Sequence, residues 1–510
     1  MPKDRSLIEK GKRLSRSVLW NWQRTFFEQQ GIEAWRGEIV PHHITSSPFI
    51  ADSYARVLAG YLRDCATESG KPVHVIEIGS GSGRLAYLIL QRLREYAENL
   101  PFKYVMTDIS RRTIAFWRRH SYFHPLIEAG VLRTAYFDPV LDTEILLRGE
   151  TVSGPLAVIA NYVFDGIPQD TFHSRDGCLF EGLVTLRGTP GDLSAADISY
   201  HYRRARANYY EEPEWNRILH DYACRLPDTK FLFPISALRI IRKLERIAAG
   251  RFLLLSADRG YCTDDALHTG NGAPLLSHHG SVSLMVDYQI LGEYVRSRGG
   301  AAWHPDRRAA SLNVSAFLLD DEPGTYTATR RGYEQAIQAF GPDDLFSLKE
   351  GIEPLYPLLG IEPLLSFLRL CRWDYRRFLE MAPRLRELAG DLSPTERRDI
   401  VEAAIRVWEA YVPLGEPTDL AFIIGSLLLE LGYPRVALDF FRRSVSLCGE
   451  TPGTAHHMGI CYNQMGKRKR ALECFSRALH LDPTFEDAII MESTLRRKAA
   501  SPQLEQPSAN

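Results

Sequence analysis

Residues 73–84, with the sequence Val-His-Val-Ile-Glu-Ile-Gly-Ser-Gly-Ser-Gly-Arg, decide the fold of this 510-residue chain. The first half is rich in β-branched residues, which is typical of a parallel strand buried on both faces. Gly79, Gly81 and Gly83 then permit tight turns and a close approach of the backbone to a ligand. Apolar residues recur at helical spacing from Arg84 onward, so a helix is predicted to begin there. Since ligands bind beyond the carboxyl ends of strands in an open parallel sheet, the stretch predicts a binding site at this glycine turn.

The spacing of the glycines narrows the class of ligand. Arg84 stands where a G-x-G-x-x-G motif would have its third glycine, so the turn lacks the spacing of a dinucleotide pyrophosphate site. An ordinary strand-to-helix turn is the alternative. Glu77, however, opens an E-x-G-x-G-x-G pattern that resembles the first motif of class I S-adenosylmethionine (SAM) methyltransferases. The resemblance implies that Glu77, Ser80 and the three glycines face the methionine end of that cofactor.

Acidic residues end the next two predicted strands. Asp108 closes the strand predicted over 104–108, 25 residues after the last glycine of the turn. In a doubly wound sheet an acidic side chain at this place hydrogen-bonds ribose hydroxyls. Ile109 follows at the same rim and is assigned to the cofactor site with it. Asp138 closes the third strand and, by resemblance to SAM enzymes, accepts from the adenine amino group; an ordinary turn before Pro139 is the alternative.

A fourth buried strand, predicted over 156–159, delivers polar side chains to the same rim. Asn161 is expected to orient the substrate or the cofactor amino group, and Tyr162 to shape the acceptor pocket by stacking. Asp165 is the first candidate for a general base or substrate anchor. Asp165 and Asn161 are therefore the predicted catalytic residues, with capping roles as the alternative.

Alternating strand and helix signals run to about residue 320, and only helical patterns follow. The predicted fold class is α/β, a Rossmann-like class I methyltransferase fold followed by an all-α solenoid. The predicted layout is an N-terminal helical segment (1–45), a methyltransferase domain (46–322) with an inserted lid (192–227), a helical linker (323–383), repeats (384–500) and a disordered tail (501–510).

Two copies of a 34-residue repeat are in register at 418–451 and 452–485. The matching pairs are Gly425 with Gly459, Gly432 with Gly466, Ala437 with Ala471, and Phe441 with Phe475. Small and aromatic residues at this spacing are typical of tetratricopeptide repeats, and a degenerate copy is predicted at 384–417. Because such solenoids present a concave groove to peptides, a protein partner or substrate is predicted.

Composition argues against several classes of protein. The formal net charge of −1 provides no field for nucleic acid or an anionic membrane. Eight scattered cysteines without a C-x-x-C pair argue against a zinc site and a disulfide framework. No apolar run reaches the roughly 18 residues of a membrane span, and the N-terminus lacks the apolar core of a signal peptide. We therefore expect a cytoplasmic protein with no metal, no nucleic-acid partner and no membrane span.

Several stretches together resemble MidA-like methyltransferases. Ile44–Pro48 resembles their "iTsp" segment, and Asn161–Pro168 looks like their "NExxDAxP" segment. Leu254–Gly260 is similar to their "LxxDYG" strand end, and Gly280–Tyr288 to their "GxxDiTxxVdf" stretch. The resemblance covers about 40–320. It implies a class I SAM methyltransferase whose mitochondrial relatives methylate arginine in a subunit of respiratory complex I.

Three positions depart from the family pattern. Tyr162 stands in place of a glutamate, Arg259 in place of a tyrosine and Ser283 in place of an aspartate. A lost acid weakens the case for a guanidinium pocket, so the acceptor stays open. Thr45 and His279 are further candidates for contacts with the acceptor, and a solvated loop is the alternative for the histidine.

The leading hypothesis is a SAM-dependent methyltransferase that acts on a protein recruited through the repeats, with arginine as one candidate acceptor. A small-molecule methyltransferase is the first alternative. A non-catalytic SAM-binding assembly or scaffold protein is the second.

Overall fold

A computed structural model describes residues 6–36, 46–65, 72–147, 149–226, 228–268, 276–278, 281–306 and 312–500. The strands are β1 (Ser6–Arg13), β2 (Val73–Ile78), β3 (Phe102–Asp108), β4 (Leu132–Tyr136), β5 (Leu146–Leu147), β6 (Glu150–Thr151), β7 (Leu156–Asn161), β8 (Asp170–Arg175), β9 (Cys178–Gly188), β10 (Asp197–Arg204), β11 (Thr229–Phe233), β12 (Phe252–Asp258), β13 (Gly260–Tyr261), β14 (Leu276–His278), β15 (Ser281–Ser283), β16 (Val286–Asp287), β17 (Ala301–Trp303) and β18 (Asn313–Leu319).

Helices flank these strands and make up the C-terminal third. They are α1 (Leu19–Gln30), α2 (Glu33–Arg36), α3 (Pro48–Cys65), α4 (Arg84–Tyr96), α5 (Arg111–Arg119), α6 (His124–Glu128), α7 (Pro213–Arg225), α8 (Ile235–Ile247), α9 (Asp264–His268), α10 (Tyr288–Ser297), α11 (Thr327–Tyr333), α12 (Pro342–Ile352), α13 (Ile361–Leu370), α14 (Tyr375–Leu388), α15 (Pro394–Glu409), α16 (Leu420–Glu430), α17 (Pro434–Cys448), α18 (Pro452–Gln464), α19 (Arg468–Leu481) and α20 (Glu486–Ala500). The chain divides into two compact units, Met1–Leu348 and Lys349–Asn510.

The main sheet of the first unit confirms the predicted α/β class. Within the described residues it has seven strands in the order β17-β18-β12-β7-β2-β3-β4. Strands β12, β7, β2, β3 and β4 are parallel, and β18 is antiparallel to β12. The chain passes outward from β2 in one direction through β3 and β4, and in the other through β7 and β12. The topological switch point therefore lies between β2 and β7, which is where ligands bind in such sheets.

A second, antiparallel sheet corrects the prediction for the N-terminus. Its order is β1-β9-β8-β11, and β10 pairs with β9. Residues Ser6–Arg13 were expected to be helical but form β1, which pairs with β9. Gly11, with φ of +64°, interrupts any helical pattern there, and the backbone of β9 supplies the hydrogen-bond partners that a strand needs.

The predicted insertion is larger and less helical than expected. It contains β10 as well as α7, and β8 and β9 precede it in the same sheet. Trp215 and Tyr222 of α7 are buried in the main hydrophobic core. This packing argues against a lid role for 192–227, because a mobile cover does not contribute large aromatic side chains to the core.

The first unit also extends past the predicted boundary at 322. Helices α3 and α11 cross closely, because Gly60 lies against the backbone of Ala328 and Gly332 against that of Arg56. A Cβ added at Gly60 would lie 2.5 Å from the carbonyl oxygen of Ala328. The compact unit accordingly ends at Leu348 rather than before α11.

The second unit confirms the repeats. Gly459 faces the ring of Phe475 and Gly425 that of Phe441, so the same contact recurs at the predicted offset. The degenerate copy predicted at 384–417 is misplaced: the helical pair there is α14 and α15, and α14 begins at Tyr375. Residues 501–510, predicted to be disordered, lie outside the described residues. In the described part of the chain, no helix is long and apolar enough to cross a membrane.

Candidate cofactor site

A cavity lies at the carboxyl ends of β2, β3, β4 and β7, around the switch point of the main sheet. It is an open cleft with a cavity volume of about 240 Å³, close to the lower end of the roughly 300–1,000 Å³ that sites for small ligands occupy. The strand ends contribute Ile78, Gly79, Asp108, Ile109, Phe137, Asp138, Asn161, Tyr162 and Val163 to its lining.

The glycine turn takes the conformation that its sequence predicts. Gly79, Gly81 and Gly83 have φ values of +66°, +50° and +77°, which side-chain-bearing residues rarely adopt. A Cβ at Gly81 would lie 2.7 Å from the indole of Trp35. The backbone N–H of Ser80 donates to the carbonyl of Thr107 at 2.9 Å, which ties the turn to the end of β3.

Asp108 is held rigidly at the rim of the cavity. Its Oδ1 accepts the backbone N–H of Ser110 at 2.7 Å, and its Oδ2 accepts that of Gly81 at 3.2 Å. Burial raises the pKa of Asp108 to about 6, and the hydrogen bonds from these backbone donors oppose the rise. Each carboxylate oxygen has a further lone pair, so Asp108 can still accept hydroxyl groups from a ligand.

Glu77 lies beside a smaller cavity of about 40 Å³ at the glycine turn. The polar residues around this cavity include Ser46, Ser80 and Ser82, and Gly79, Asn161, Tyr162 and Trp35 line both cavities. The hydroxyl of Tyr104 donates to Glu77 Oε2 at 3.1 Å. Burial raises the pKa of Glu77 to about 8, so its carboxyl group is largely protonated at neutral pH.

Asp138 occupies the predicted position, but its carboxylate is already engaged. Oδ1 accepts the backbone N–H groups of Val140 and Leu141 at 2.9 and 3.0 Å. Oδ2 lies 3.1 Å from Nε of Arg24. These contacts match the turn alternative, and the adenine role of Asp138 stays a prediction.

Asn161 and Tyr162 both reach the cavity as predicted. Asn161 Oδ1 accepts the hydroxyl of Tyr54 at 2.7 Å, whereas its buried Nδ2 has no hydrogen-bond partner among the described residues. Tyr162 has a φ of +50°, a left-handed conformation that is rare outside glycine. Such local strain is often found at ligand sites.

Asp165 does not line the cavity, in contrast to the prediction. Its backbone N–H lies 3.5 Å from Asp258 Oδ1, and the carboxyl groups of the two residues face each other. The hydroxyl of Tyr288 also donates to Asp258, at 2.9 Å. Burial raises the pKa of both acids, and the charge of Asp165 raises that of Asp258 further. The two carboxyl groups therefore retain a proton, and they contact each other inside the core.

Helix α1 forms a wall of the cavity that the sequence did not predict. Trp20, Arg24, Phe27 and the following Trp35 line it, and the rings of Phe27 and Trp35 stack with centroids 6.2 Å apart. The side chain of Gln23 fixes the helix by exchanging two hydrogen bonds with the backbone of Val282, at 2.7 and 2.9 Å. The apolar residues of this helix favour packing on a core, with docking to a partner or a membrane surface as the alternative, and neither interpretation predicts a place at a ligand site.

Two predicted contacts cannot be placed. Thr45 and His279 lie outside the described residues. Among the residues that the structure describes, no group of three or more His, Cys, Asp or Glu side chains could hold a metal ion.

Two family models match parts of the chain. Residues 56–288 match the family model "Putative S-adenosyl-L-methionine-dependent methyltransferase", and 456–485 match a tetratricopeptide repeat. A search of curated proteins found no match.

Solved structures with a similar fold share little sequence with this chain. An uncharacterised Burkholderia thailandensis protein is 15% identical, with a TM-score of 0.39, 61% of this chain covered and 89% of that one. A "likely methyl transferase" from the same organism, bound to S-adenosyl-homocysteine, is 15% identical, with a TM-score of 0.36, 53% of this chain covered and 76% of that one. A tetratricopeptide protein of Thermus thermophilus is 17% identical, with a TM-score of 0.23, 34% of this chain covered and 92% of that one.

The family match confirms the resemblance to MidA-like enzymes that the sequence motifs indicated. Residues 56–288 thus match the model of putative S-adenosyl-L-methionine-dependent methyltransferases, in a chain that also carries tetratricopeptide repeats.

Proposed function

We propose that the first unit binds SAM in the cavity, with the ribose on Asp108, and transfers its methyl group to a protein. The observation that carries the proposal is the position of Asp108. It lines the cavity at the end of β3, next to the switch point, with its orientation fixed by the N–H groups of Gly81 and Ser110. A carboxylate held in this way is suited to accept the two hydroxyls of a ribose.

The other lining residues fit the remaining parts of the cofactor. Ile109, Phe137 and Leu141 offer apolar contact to the adenine ring. Gly79 and Gly81 let the backbone approach the amino-acid end, and the unpartnered Nδ2 of Asn161 can donate to it. The smaller, polar cavity beside Glu77 and Ser80 extends the site in the direction that this end would take.

SAM supplies a methyl group on a positively charged sulfur, which is already a good leaving group. The chain therefore has to align the acceptor and exclude water. Trp20, Phe27 and Trp35 serve the second purpose, because they give the cavity an aromatic wall. Asp165 is not a base in this proposal, since it faces Asp258 inside the core.

The lining disfavours arginine as the acceptor. Among the described residues of the cavity, Asp138 is paired with Arg24 and Asp108 with backbone N–H groups. No described carboxylate is left over for a guanidinium group, and Arg24 adds a positive charge. We therefore infer an uncharged acceptor group, on a protein that the repeats bind through their concave face.

A small-molecule methyltransferase is the second candidate. The apolar character of the wall formed by α1 favours it, because small-ligand sites are mostly lined by hydrophobic and aromatic side chains.

The test combines binding with label transfer. Titration calorimetry of the purified chain with S-adenosyl-homocysteine should give saturable heat; an absence of heat would refute the cofactor assignment. Labelled SAM is then incubated with the enzyme and a lysate of cells that lack it, so that natural targets are unmodified. Label in a protein band supports a protein acceptor, and label only in the small-molecule fraction supports the second candidate.

A further inference from the structure

Tyr54 is connected to the site although it lies on α3, away from the motifs. Its side chain is fully buried and its residue precedes the segment that matches the family model. Its hydroxyl donates to Oδ1 of Asn161 at 2.7 Å. Burial, followed by the charge of Asp258, raises the pKa of Tyr54 well above its ordinary value, so the hydroxyl is always available as a donor.

Asn161, the partner of Tyr54, has a hydrogen-bond donor that no described residue uses. Asn161 ends β7, and its Nδ2 is buried without a partner among the described residues. Buried donors are nearly always satisfied in proteins, so this group marks a place for an acceptor that comes with a ligand. Asn161 also lines both cavities, at the junction between the large one and the small polar one.

The geometry of an amide links the two observations. The oxygen and nitrogen of Asn161 lie on opposite sides of Cγ, and a rotation of the group by 180° exchanges them. A hydroxyl can donate or accept, and the hydroxyl of Tyr54 donates to the oxygen here, which leaves Nδ2 as the side of the amide available to a ligand. Without that hydroxyl, no described hydrogen bond on the oxygen side holds the amide in this orientation.

We propose that Tyr54 is a positioning residue, which holds the Asn161 amide so that Nδ2–H donates to the carboxylate of the cofactor's amino-acid end. The proposal rests on the proposed function, because it assumes that SAM occupies the cavity. The carboxylate is the expected acceptor because the small cavity beside Asn161 is walled by Ser46, Ser80 and Ser82. It assigns a task in cofactor binding to a residue that lies just before the matched segment.

Calorimetry on the full chain tests this with two ligands. S-Adenosyl-homocysteine carries the amino-acid end, and 5′-methylthioadenosine lacks it. The variants are Tyr54→Phe, Asn161→Ala and the double variant. The control is Tyr222→Phe, which removes another buried hydroxyl, one that donates to Asp287 at 3.1 Å and does not line the cavity.

Tyr54→Phe is expected to lower the affinity for S-adenosyl-homocysteine roughly 3- to 10-fold, which is the effect of losing one hydrogen bond. Its affinity for 5′-methylthioadenosine should stay within about twofold. The double variant should bind no more weakly than Asn161→Ala alone, because Tyr54 acts only through Asn161. Tyr222→Phe should leave both affinities unchanged.

Three results with Tyr54→Phe and the double variant would overturn the proposal. They are an unchanged affinity of Tyr54→Phe for S-adenosyl-homocysteine, an equal loss for both ligands, and additive effects in the double variant. A matching loss in Tyr222→Phe would also overturn it, since the effect would then reflect packing in general. If the unmodified chain binds neither ligand, it is the proposed function that fails. Thermal melting of each variant confirms that the fold is retained.

Discussion

The indole of Trp35 lies over the backbone of Gly81, so close that a Cβ at that glycine would come within 2.7 Å of the ring. The contact joins the N-terminal segment to the turn that decides the fold. Because Trp35 also lines both cavities, it lies between the space assigned to the nucleoside and the space assigned to the amino-acid end. The N-terminal segment is thus part of the site.

Gly81→Ala should strongly reduce cofactor binding. The methyl group would meet Trp35, and the left-handed φ of +50° adds strain of about 1 kcal/mol or more. The matched control is Gly177→Ala, which has a similar φ of +68° but no atom within 4 Å of the added Cβ. Calorimetry with S-adenosyl-homocysteine should show a loss of at least tenfold for the first variant only. Equal losses in the two would mean that backbone strain, and not the site, is responsible.

Asp108→Asn should weaken the binding of S-adenosyl-homocysteine by about tenfold or more. A carboxylate can accept both ribose hydroxyls, whereas the amide of asparagine has an acceptor on only one of its two sides. Asp176→Asn, at an exposed turn, serves as the control. The affinity of the unmodified chain should also fall as the pH drops below about 6, where Asp108 becomes protonated. An affinity independent of pH between 5 and 7 would speak against Asp108 as the ribose ligand.

Glu77→Gln should stabilise the apo protein at alkaline pH. Burial raises the folded-state pKa of Glu77 to about 8, above its ordinary value of 4.5. The protonated form therefore favours folding, and its contribution is complete below pH 4.5 and is lost as the pH rises toward 8. The free energy of unfolding that is lost in this way is at most about 5 kcal/mol.

Glutamine cannot lose a proton, so the difference in melting temperature between Glu77→Gln and the unmodified chain should grow from pH 5 to pH 8 and then level off. Thermal melts without cofactor at four pH values measure it. A constant difference would show that Glu77 does not titrate in this range.

Gly459→Ala should destabilise the repeats by about 1–3 kcal/mol, because the added Cβ would lie 2.5 Å from the ring of Phe475. Gly453 lies in the first turn of the same helix, and the nearest atom to its added Cβ would be 3.8 Å away, so Gly453→Ala should be neutral or stabilising. Denaturant unfolding followed by circular dichroism compares the two. Similar midpoints for both variants would contradict the close Gly–Phe packing.

The parts of the fold that were predicted correctly are those with a local pattern. The glycine turn, the strand ending in Asp108 and the repeats are each encoded by residues close together in sequence. The position of Asn161 followed in the same way, because every parallel strand of the sheet ends at the same rim.

The parts that were missed depend on distant pairs. The strand β1 exists because β9 lies beside it, and α1 reaches the cavity because Gln23 bonds to Val282. Tyr54 reaches Asn161 only once α3 has packed. Asp165 was predicted to be a base because it comes shortly after the strand that ends at the rim of the cavity. It faces Asp258 instead, a pairing that the sequence does not predict because two carboxylates repel each other.

The bond between Gln23 and Val282 joins residues 259 positions apart. At about 5–20 residues per second, a ribosome needs roughly 13–52 s to synthesise the stretch between them. During that interval the emerging chain carries the indoles of α1 and its neighbours without the surface that later shields them. Nascent molecules of this protein are therefore expected to depend on holding chaperones, whereas completed ones are not.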